Sequence, residues 1–213
     1  MIKLDLLSAM ALTAALLLPS GTALAQDGST TPDPATGAAM TAEDPRFAEL
    51  EALVPPALAG LPLGDNLVFA TGEELLDIMQ PEESAILEEV LEANGKTPAD
   101  YAAATSWLPT SESDIVVIQA HRIAGVDASE TMEAWVEIVS VNLDDPQSAE
   151  GFIAGRPVTL VSDASSPEVP TLHLFPAGDV MWMIIAADEA IVEEAMGAVG
   201  AEGDEEAEAE PEA

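Results

Sequence analysis

The chain of 213 residues contains no cysteine. This absence excludes disulfides, cysteine nucleophiles, zinc sites with cysteine ligands and iron–sulfur clusters. Basic residues are also scarce, because 5 lysines and arginines stand against 40 aspartates and glutamates, which gives a formal net charge of −35. So large a negative charge repels nucleic-acid phosphates and anionic membrane surfaces. The sequence therefore predicts neither a nucleic-acid partner nor binding of the mature protein to a membrane.

The motifs of common catalytic and phosphate-binding sites are absent as well. The chain has no GxGxxG or GxxxxGK[ST] phosphate-binding loop and no GxSxG nucleophile elbow. It has two histidines, His121 and His173, and both lie in predicted strands. We interpret each as a partly buried, hydrogen-bonded residue; the alternative is that the strands are neighbours and that the two rings and a carboxylate form a site. The sequence accordingly predicts no catalytic residue, no metal ligand and no cofactor.

The first 25 residues have the organisation of a signal peptide. Lys3 provides a positive start, residues 6–18 form a continuous apolar run, and residues 23–25 have the small-residue pattern that signal peptidase accepts. As a helix this run would extend about 20 Å, which is shorter than the hydrocarbon core of a bilayer, about 30 Å. We therefore expect cleavage after Ala25 and a secreted or periplasmic mature protein; the alternative is an uncleaved anchor.

Two further segments have the composition of unstructured chain. Residues 26–42 are small, polar and proline-bearing, and residues 200–213 contain seven acidic residues and no bulky apolar side chain. Neither can bury enough apolar surface to offset its conformational entropy, so we predict a disordered linker and a disordered acidic tail. The rest of the chain, residues 43–199, is long enough for one domain with a real core, and 48% of all residues are apolar.

Changes in hydrophobic period predict an α+β domain in residues 43–199. Helices are expected to start at residues that favour a first helical turn, namely Pro45, Thr71, Pro81, Pro98, Asp127 and Asp188. The helix from Pro98 should run toward Trp107. Apolar or β-branched segments predict strands over residues 61–71, 114–124, 157–161, 171–175 and 180–187. We expect the helices to pack on a mainly antiparallel sheet.

Three segments resemble parts of uncharacterised exported bacterial proteins that pair a signal peptide with an α+β domain. The segments are LEALVPPALAGLPL, IAGVDASETM and PAGDVMWMIIAADEAIVEEAM. The resemblance includes no catalytic signature. It implies an exported α+β protein with no assigned activity.

Two groups of residues are candidates for a binding site. Arg122 and Arg156 could clamp an anionic ligand; the alternative is that each pairs with nearby carboxylates. Met181, Trp182 and Met183 lie in a strand whose two faces are both apolar. We interpret Trp182 as a core residue of a central strand. The alternative is an interaction patch, since flexible methionine side chains adapt to varied partners.

Acidic residues are too numerous for their positions alone to identify a site. Asp144, Asp145 and Glu150 could supply oxygen ligands to calcium, but the segment lacks the alternating acids and the glycine of a calcium-binding loop. We interpret Asp144 and Asp145 as an acidic turn that precedes a helix.

The sequence favours an exported, highly acidic, non-enzymatic binding module of the cell envelope or extracellular space, with an unknown protein, peptide or envelope component as its partner. The alternative is a hydrolase that uses carboxylates or His121. A carboxylate of raised pKa beside His121 would favour the hydrolase, whereas a flat apolar patch near Trp182 would favour the binding module. The acidic composition also resembles that of proteins adapted to high salt, and it predicts that stability rises with salt concentration.

Overall fold

The computed structural model describes residues 45–58, 60–63, 67–109 and 115–199. In these ranges five α-helices accompany a seven-stranded antiparallel sheet. The predicted α+β fold, with helices packed on an antiparallel sheet, is confirmed. The predicted signal peptide, linker and acidic tail lie outside the described residues.

The helices and strands alternate irregularly along the chain. The helices are α1 (Pro45–Leu53), α2 (Gly72–Ile78), α3 (Pro81–Ala93), α4 (Ala128–Ser140) and α5 (Glu189–Ala198). A two-stranded ribbon consists of β1 (Ala57–Leu58) and β2 (Leu61–Pro62). The main sheet consists of β3 (Val68–Thr71), β4 (Tyr101–Pro109), β5 (Ile115–Ile123), β6 (Pro146–Ile153), β7 (Arg156–Asp163), β8 (Leu172–Ala177) and β9 (Val180–Ile185). Its strand order is β3-β4-β5-β9-β8-β7-β6.

Local capping bonds begin several helices where the sequence predicts them. The Thr71 hydroxyl accepts a hydrogen bond from the Glu74 N–H at 3.3 Å, and the Glu74 carboxylate accepts one from the Thr71 N–H at 2.8 Å. Asp127 and Asp188 each accept a hydrogen bond from the backbone N–H two residues later, at 2.8 and 2.9 Å. These bonds satisfy amides that a first helical turn leaves without partners.

The main sheet lies between two helical layers. On one side, called here the α1/α5 face, the core includes Phe47 of α1 and Val192 of α5. On the other side, the α2–α4 face, it includes Leu75, Leu87 and Trp135 from the three helices. Successive strand residues point to opposite faces, so central strand β9 contributes to both cores. Each face of the sheet is therefore covered where β9 lies.

The predicted helix from Pro98 toward Trp107 is wrong. Residues 98–100 form a single 3₁₀ turn, and strand β4 follows directly. Ala102 packs on the α1/α5 face, Ala103 packs on the α2–α4 face, and β4 is paired with β3 and β5. The helix propensity of alanine is a weak preference, and pairing with two neighbouring strands overrides it.

The predicted helix start after Asp144 and Asp145 is also wrong, because strand β6 begins at Pro146. The turn itself is ordered by Asp163, whose carboxylate accepts hydrogen bonds from the N–H groups of Asp144 and Asp145 at 3.4 and 3.2 Å. The Ser165 hydroxyl donates a further bond at 2.7 Å, and these bonds lower the pKa of Asp163. The two acids therefore mark the entry to a strand.

Candidate functional site

The two histidines lie on opposite faces of the sheet. His121 of β5 is paired with Met181 of β9, whereas His173 of β8 is paired with Ile184 of β9. Directly opposed residues share a face, so His121 points to the α2–α4 face and His173 to the α1/α5 face. Strand β9 also separates β5 from β8. The alternative of a site that contains both rings is therefore wrong, and the described residues contain no group of three or more histidines and acids that could hold a metal ion.

His121 belongs to a buried polar cluster beneath α4. Its Nδ1 lies 2.5 Å from the Tyr101 hydroxyl and its Nε2 lies 3.3 Å from Oε1 of Gln119. The ring also packs on Trp135, with 4.0 Å between the ring centroids. Burial lowers the pKa of His121 to about 3 and raises the pKa of Tyr101 well above its usual value. The neutral ring thus accepts a hydrogen bond from the Tyr101 hydroxyl at Nδ1 and donates one from Nε2 to Oε1 of Gln119.

The Trp135 indole N–H is buried in the same cluster and has no hydrogen-bond partner within the described ranges. It is near the Tyr101 hydroxyl and lowers the pKa of that group against the larger, opposite effect of burial, without the geometry of a hydrogen bond. A general acid or base must reach a substrate proton, and His121 is fully buried. His121 is a hydrogen-bonded strand residue as interpreted, but it is fully rather than partly buried.

His173 has a similar but less enclosed environment. It is 8% exposed, and its Nδ1 lies 3.4 Å from the Ile184 carbonyl oxygen. Burial is the main cause that lowers the pKa of His173. Its interpretation as a partly buried strand residue is confirmed.

The segment Met181–Met183 lies in the core. Met181, Trp182 and Met183 are 0, 1 and 2% exposed. Trp182 packs on the α1/α5 face and the two methionines pack on the α2–α4 face. The interpretation of Trp182 as a core residue of a central strand is confirmed. The alternative of a surface patch is wrong, because β9 has a strand on either side and helices over both faces.

Arg122 and Arg156 lie apart in the sheet, and Arg122 pairs with carboxylates, which was the alternative to an anion clamp. Arg122 of β5 donates from Nε to the Asp179 carboxylate at 2.7 Å and also pairs with Glu49 of α1. These two acids raise the pKa of the guanidinium against the opposing effect of burial. Arg156 starts β7, three strands away, and has an interaction partner of its own. Arg122 therefore joins α1 to the β8–β9 turn.

The most open part of the sheet is strand β6, which the sequence did not predict. Six of its eight residues are exposed. Phe152 is 79% exposed, the highest fraction among the large apolar side chains of the described ranges. The opposite edge differs, because β3 has four half-buried residues and Phe69 stacks on Phe47 of α1 at 5.0 Å. Of the two edge strands of the main sheet, β6 is the longer and the more exposed.

The backbone of β6 presents unpaired groups along its outer side. Ile153 and Arg156 flank a two-residue loop, so they form a hydrogen-bonded pair. In an antiparallel ladder, residues alternate between bonding to the neighbouring strand and facing away from it. The N–H and C=O groups of Ser148, Glu150 and Phe152 therefore point away from β7. Because β6 ends the sheet, these groups face no further strand within the described part of the chain. Such an edge can pair with another extended chain.

The sequence matches no protein-family model, no curated protein and no solved structure. The resemblance to uncharacterised exported proteins therefore stays a prediction. Among the described helices, none has the length and apolar composition needed to cross a membrane.

Proposed function

We propose that the protein is an exported binding module of the cell envelope or extracellular space and that its partner is another protein or peptide. The observation that carries the proposal is the exposure of Phe152 on the open edge of β6. Unpaired strand edges are sites at which proteins associate unless the edge is covered, twisted away or charged. A large apolar side chain on such an edge adds area that a partner can bury.

The surroundings of Phe152 support a docking surface. Pro157 of β7 lies directly opposite Phe152, and it is exposed too. On the other face of β6, Ala149 and Gly151 have minimal side chains, so another backbone can approach closely. The face with Phe152 and Pro157 is exposed, whereas on the other face α5 contacts the strand and Ile153 packs on the α1/α5 core.

A hydrolase has less support than a binding module. His121 is fully buried, and the shifted carboxylate pKa values in the described ranges are all lowered, at Asp100, Asp127 and Asp163. A carboxylic acid that donates a proton in catalysis needs a raised pKa. Trp182 is buried, so the alternative of an apolar patch there gives no interaction site, and the site is proposed at β6.

Export is the second part of the proposal, and it rests on the signal-like residues 1–25. The test is N-terminal sequencing of the protein recovered outside the cytoplasm of its source cell. We expect a chain that begins at Gln26. A cytoplasmic chain that begins at Met1 would contradict the proposal.

Site-specific photo-crosslinking tests the binding function. The full-length protein would carry benzoylphenylalanine at position 152 and be produced with its signal peptide in its source cell. We expect one recurrent crosslinked protein, identified by mass spectrometry. The matched control places the same group at Val141, which is 44% exposed at the end of α4. Equal products from both positions, or none from position 152, would contradict a partner at β6.

A further inference from the structure

We propose that the partner binds by adding a β-strand to β6 and that this strand carries lysine or arginine. The inference rests on the proposed binding function and specifies the chemistry of the partner. It follows from the backbone of β6, from the absence of edge protection on this strand, and from the charge of the described domain.

The outward backbone groups of β6 have the spacing of a strand-pairing site. Ser148, Glu150 and Phe152 alternate with residues that bond to β7, so consecutive outward residues are about 7 Å apart along the strand. Each offers one N–H and one C=O. An antiparallel strand that enters beside β6 can therefore form up to six backbone hydrogen bonds.

Strand β6 lacks most devices that protect a sheet edge. Natural edges are often short, bulged, or interrupted by proline and lysine. The register of β6 with β7 continues through eight pairs without a bulge, from Pro146 opposite Asp163 to Ile153 opposite Arg156. Its proline occupies the first position and it has no lysine. The edge is open to pairing over most of its length.

The negative charge of the domain favours a basic strand as the partner of β6. The described ranges contain 25 acidic and 4 basic residues, a net charge of −21. A second copy would bring the same charge to the interface and place the exposed Glu150 near its counterpart, which costs free energy. Residues 26–44 and 200–213 of the chain contain no lysine or arginine either. The negative field of the domain repels a second copy and the chain's own acidic ends. The same field attracts a basic segment of another protein.

The side chains of β6 define a sequence preference in the partner. Glu150 and Phe152 lie on the same face, two positions apart. Residues directly opposite each other across an added strand interact in pairs. The partner should therefore place lysine or arginine opposite Glu150 and an apolar residue opposite Phe152, again two positions apart on one face.

Fluorescence anisotropy with three labelled probe peptides tests the proposal on the full-length mature protein at low salt. The first peptide has the eight-residue sequence Lys-Lys-Val-Val-Lys-Lys-Val-Val, in which lysine and valine alternate along each face of the extended strand. The second replaces lysine with glutamate. The third keeps the lysines but is N-methylated at alternate residues, which removes the donors of one strand edge. We expect the first peptide to bind, the third to bind at least tenfold more weakly, and the second not to bind.

Two variants at one position separate strand pairing from charge attraction. Ser148→Pro removes an outward N–H while the bonds to β7 remain, because proline is tolerated where an edge N–H faces solvent. Ser148→Ala is the matched control and keeps the backbone donor. We expect at least tenfold weaker peptide binding for Ser148→Pro and at most a twofold change for Ser148→Ala, with both variants folded by circular dichroism.

Specific outcomes would overturn the proposal. Equal binding of the lysine peptide and its N-methylated form, or unchanged binding by Ser148→Pro, would show attraction by charge alone. Failure of the lysine peptide to bind would also overturn it. A dimer of the protein that Ser148→Pro abolishes in sedimentation velocity would identify a second copy as the occupant. If the peptide and Ser148→Pro results contradict strand pairing while crosslinking at position 152 still captures a partner, the protein binds a partner at β6 but not by strand addition.

Discussion

Strands β9 and β6 belong to one antiparallel sheet but have opposite environments. Trp182 of β9 is 1% exposed, whereas Phe152 of β6 is 79% exposed. Among the described strands, β9 is paired on both sides and β6 on one side. An aromatic side chain therefore stabilises the fold in β9, while in β6 it is accessible to a partner. Position in the sheet decides the role of an aromatic residue here, since both side chains are large and apolar.

The largest effect should separate the two aromatic residues. Trp182→Ala leaves a cavity in the α1/α5 core, and we expect it to lower the free energy of unfolding by about 3–5 kcal/mol. Phe152→Ala removes a solvated side chain, and we expect a change below about 0.5 kcal/mol. Urea unfolding of both variants measures the difference. Similar losses would mean that Phe152 packs against part of the molecule.

Salt should act on folding and on the β6 edge in opposite directions. The net charge of −21 belongs to the described domain, and repulsion among these charges destabilises the compact state. Raising sodium chloride from about 0.05 M to 1 M shortens the screening length to about 3 Å, so we expect stability to rise by about 2 kcal/mol or more. Binding of the lysine peptide should weaken over the same range. A flat melting temperature would contradict the first expectation.

Acid should destabilise the fold through its buried histidine before the carboxylates titrate. The folded pKa of His121, about 3, lies below the unfolded value of 6.5. The unfolded state therefore binds more protons between these values, and the free energy of unfolding falls as pH falls below 6.5. We expect a loss of about 2 kcal/mol between pH 8 and pH 5. Asp100, Asp127 and Asp163 have lowered pKa values and lose their contribution only as pH falls below about 4.

Two histidine variants identify which ring causes the loss of stability at low pH. His121→Gln removes the titrating ring and should flatten most of the stability loss between pH 8 and pH 5. His173→Gln should leave most of the loss in place, because His173 is less enclosed although its pKa is lowered too. An unchanged slope in His121→Gln would contradict the assignment of the buried ring as the source.

The smallest expected effect on folding concerns the charge on β6. Glu150→Lys exchanges an exposed side chain and should change the free energy of unfolding by less than about 0.5 kcal/mol. It should weaken binding of the lysine peptide about tenfold, because it reverses the charge at the middle of the edge. Unfolding and anisotropy on the same preparation check both parts. Unchanged peptide affinity would contradict a basic residue opposite position 150.

The contrast between β9 and β6 also explains what the sequence could predict. Strand β9 is apolar on both faces because both are buried, so its residues alone indicate a central strand. Strand β6 is exposed over most of its length and reads PQSAEGFI, with neither alternation nor many β-branched residues. Its conformation depends on pairing with β7 through a loop in which Ala154 and Gly155 have φ of 51° and 78°.

Helix caps could be predicted from the sequence, whereas clusters of residues distant in the chain could not. Asp127 and Asp188 bond to residues two positions along the chain, so their roles are local and were predictable. The contacts of His121 with Tyr101 and Trp135 join β5 to β4 and α4. These contacts depend on how elements that are far apart in the sequence pack together. A short segment of sequence does not determine that packing. The same limit applies to β4, where pairing with two strands outweighs the helix preference of its alanines.

Amide hydrogen exchange would show whether a partner strand pairs with the backbone of β6. The full-length mature protein would be measured alone, with the lysine–valine peptide at saturation, and with the N-methylated peptide. We expect slower exchange at the amides of Ser148, Glu150 and Phe152 with the first peptide only, and no change in β9. Unchanged exchange along β6 at saturation, or protection spread over the acidic helices instead, would contradict strand addition at this edge.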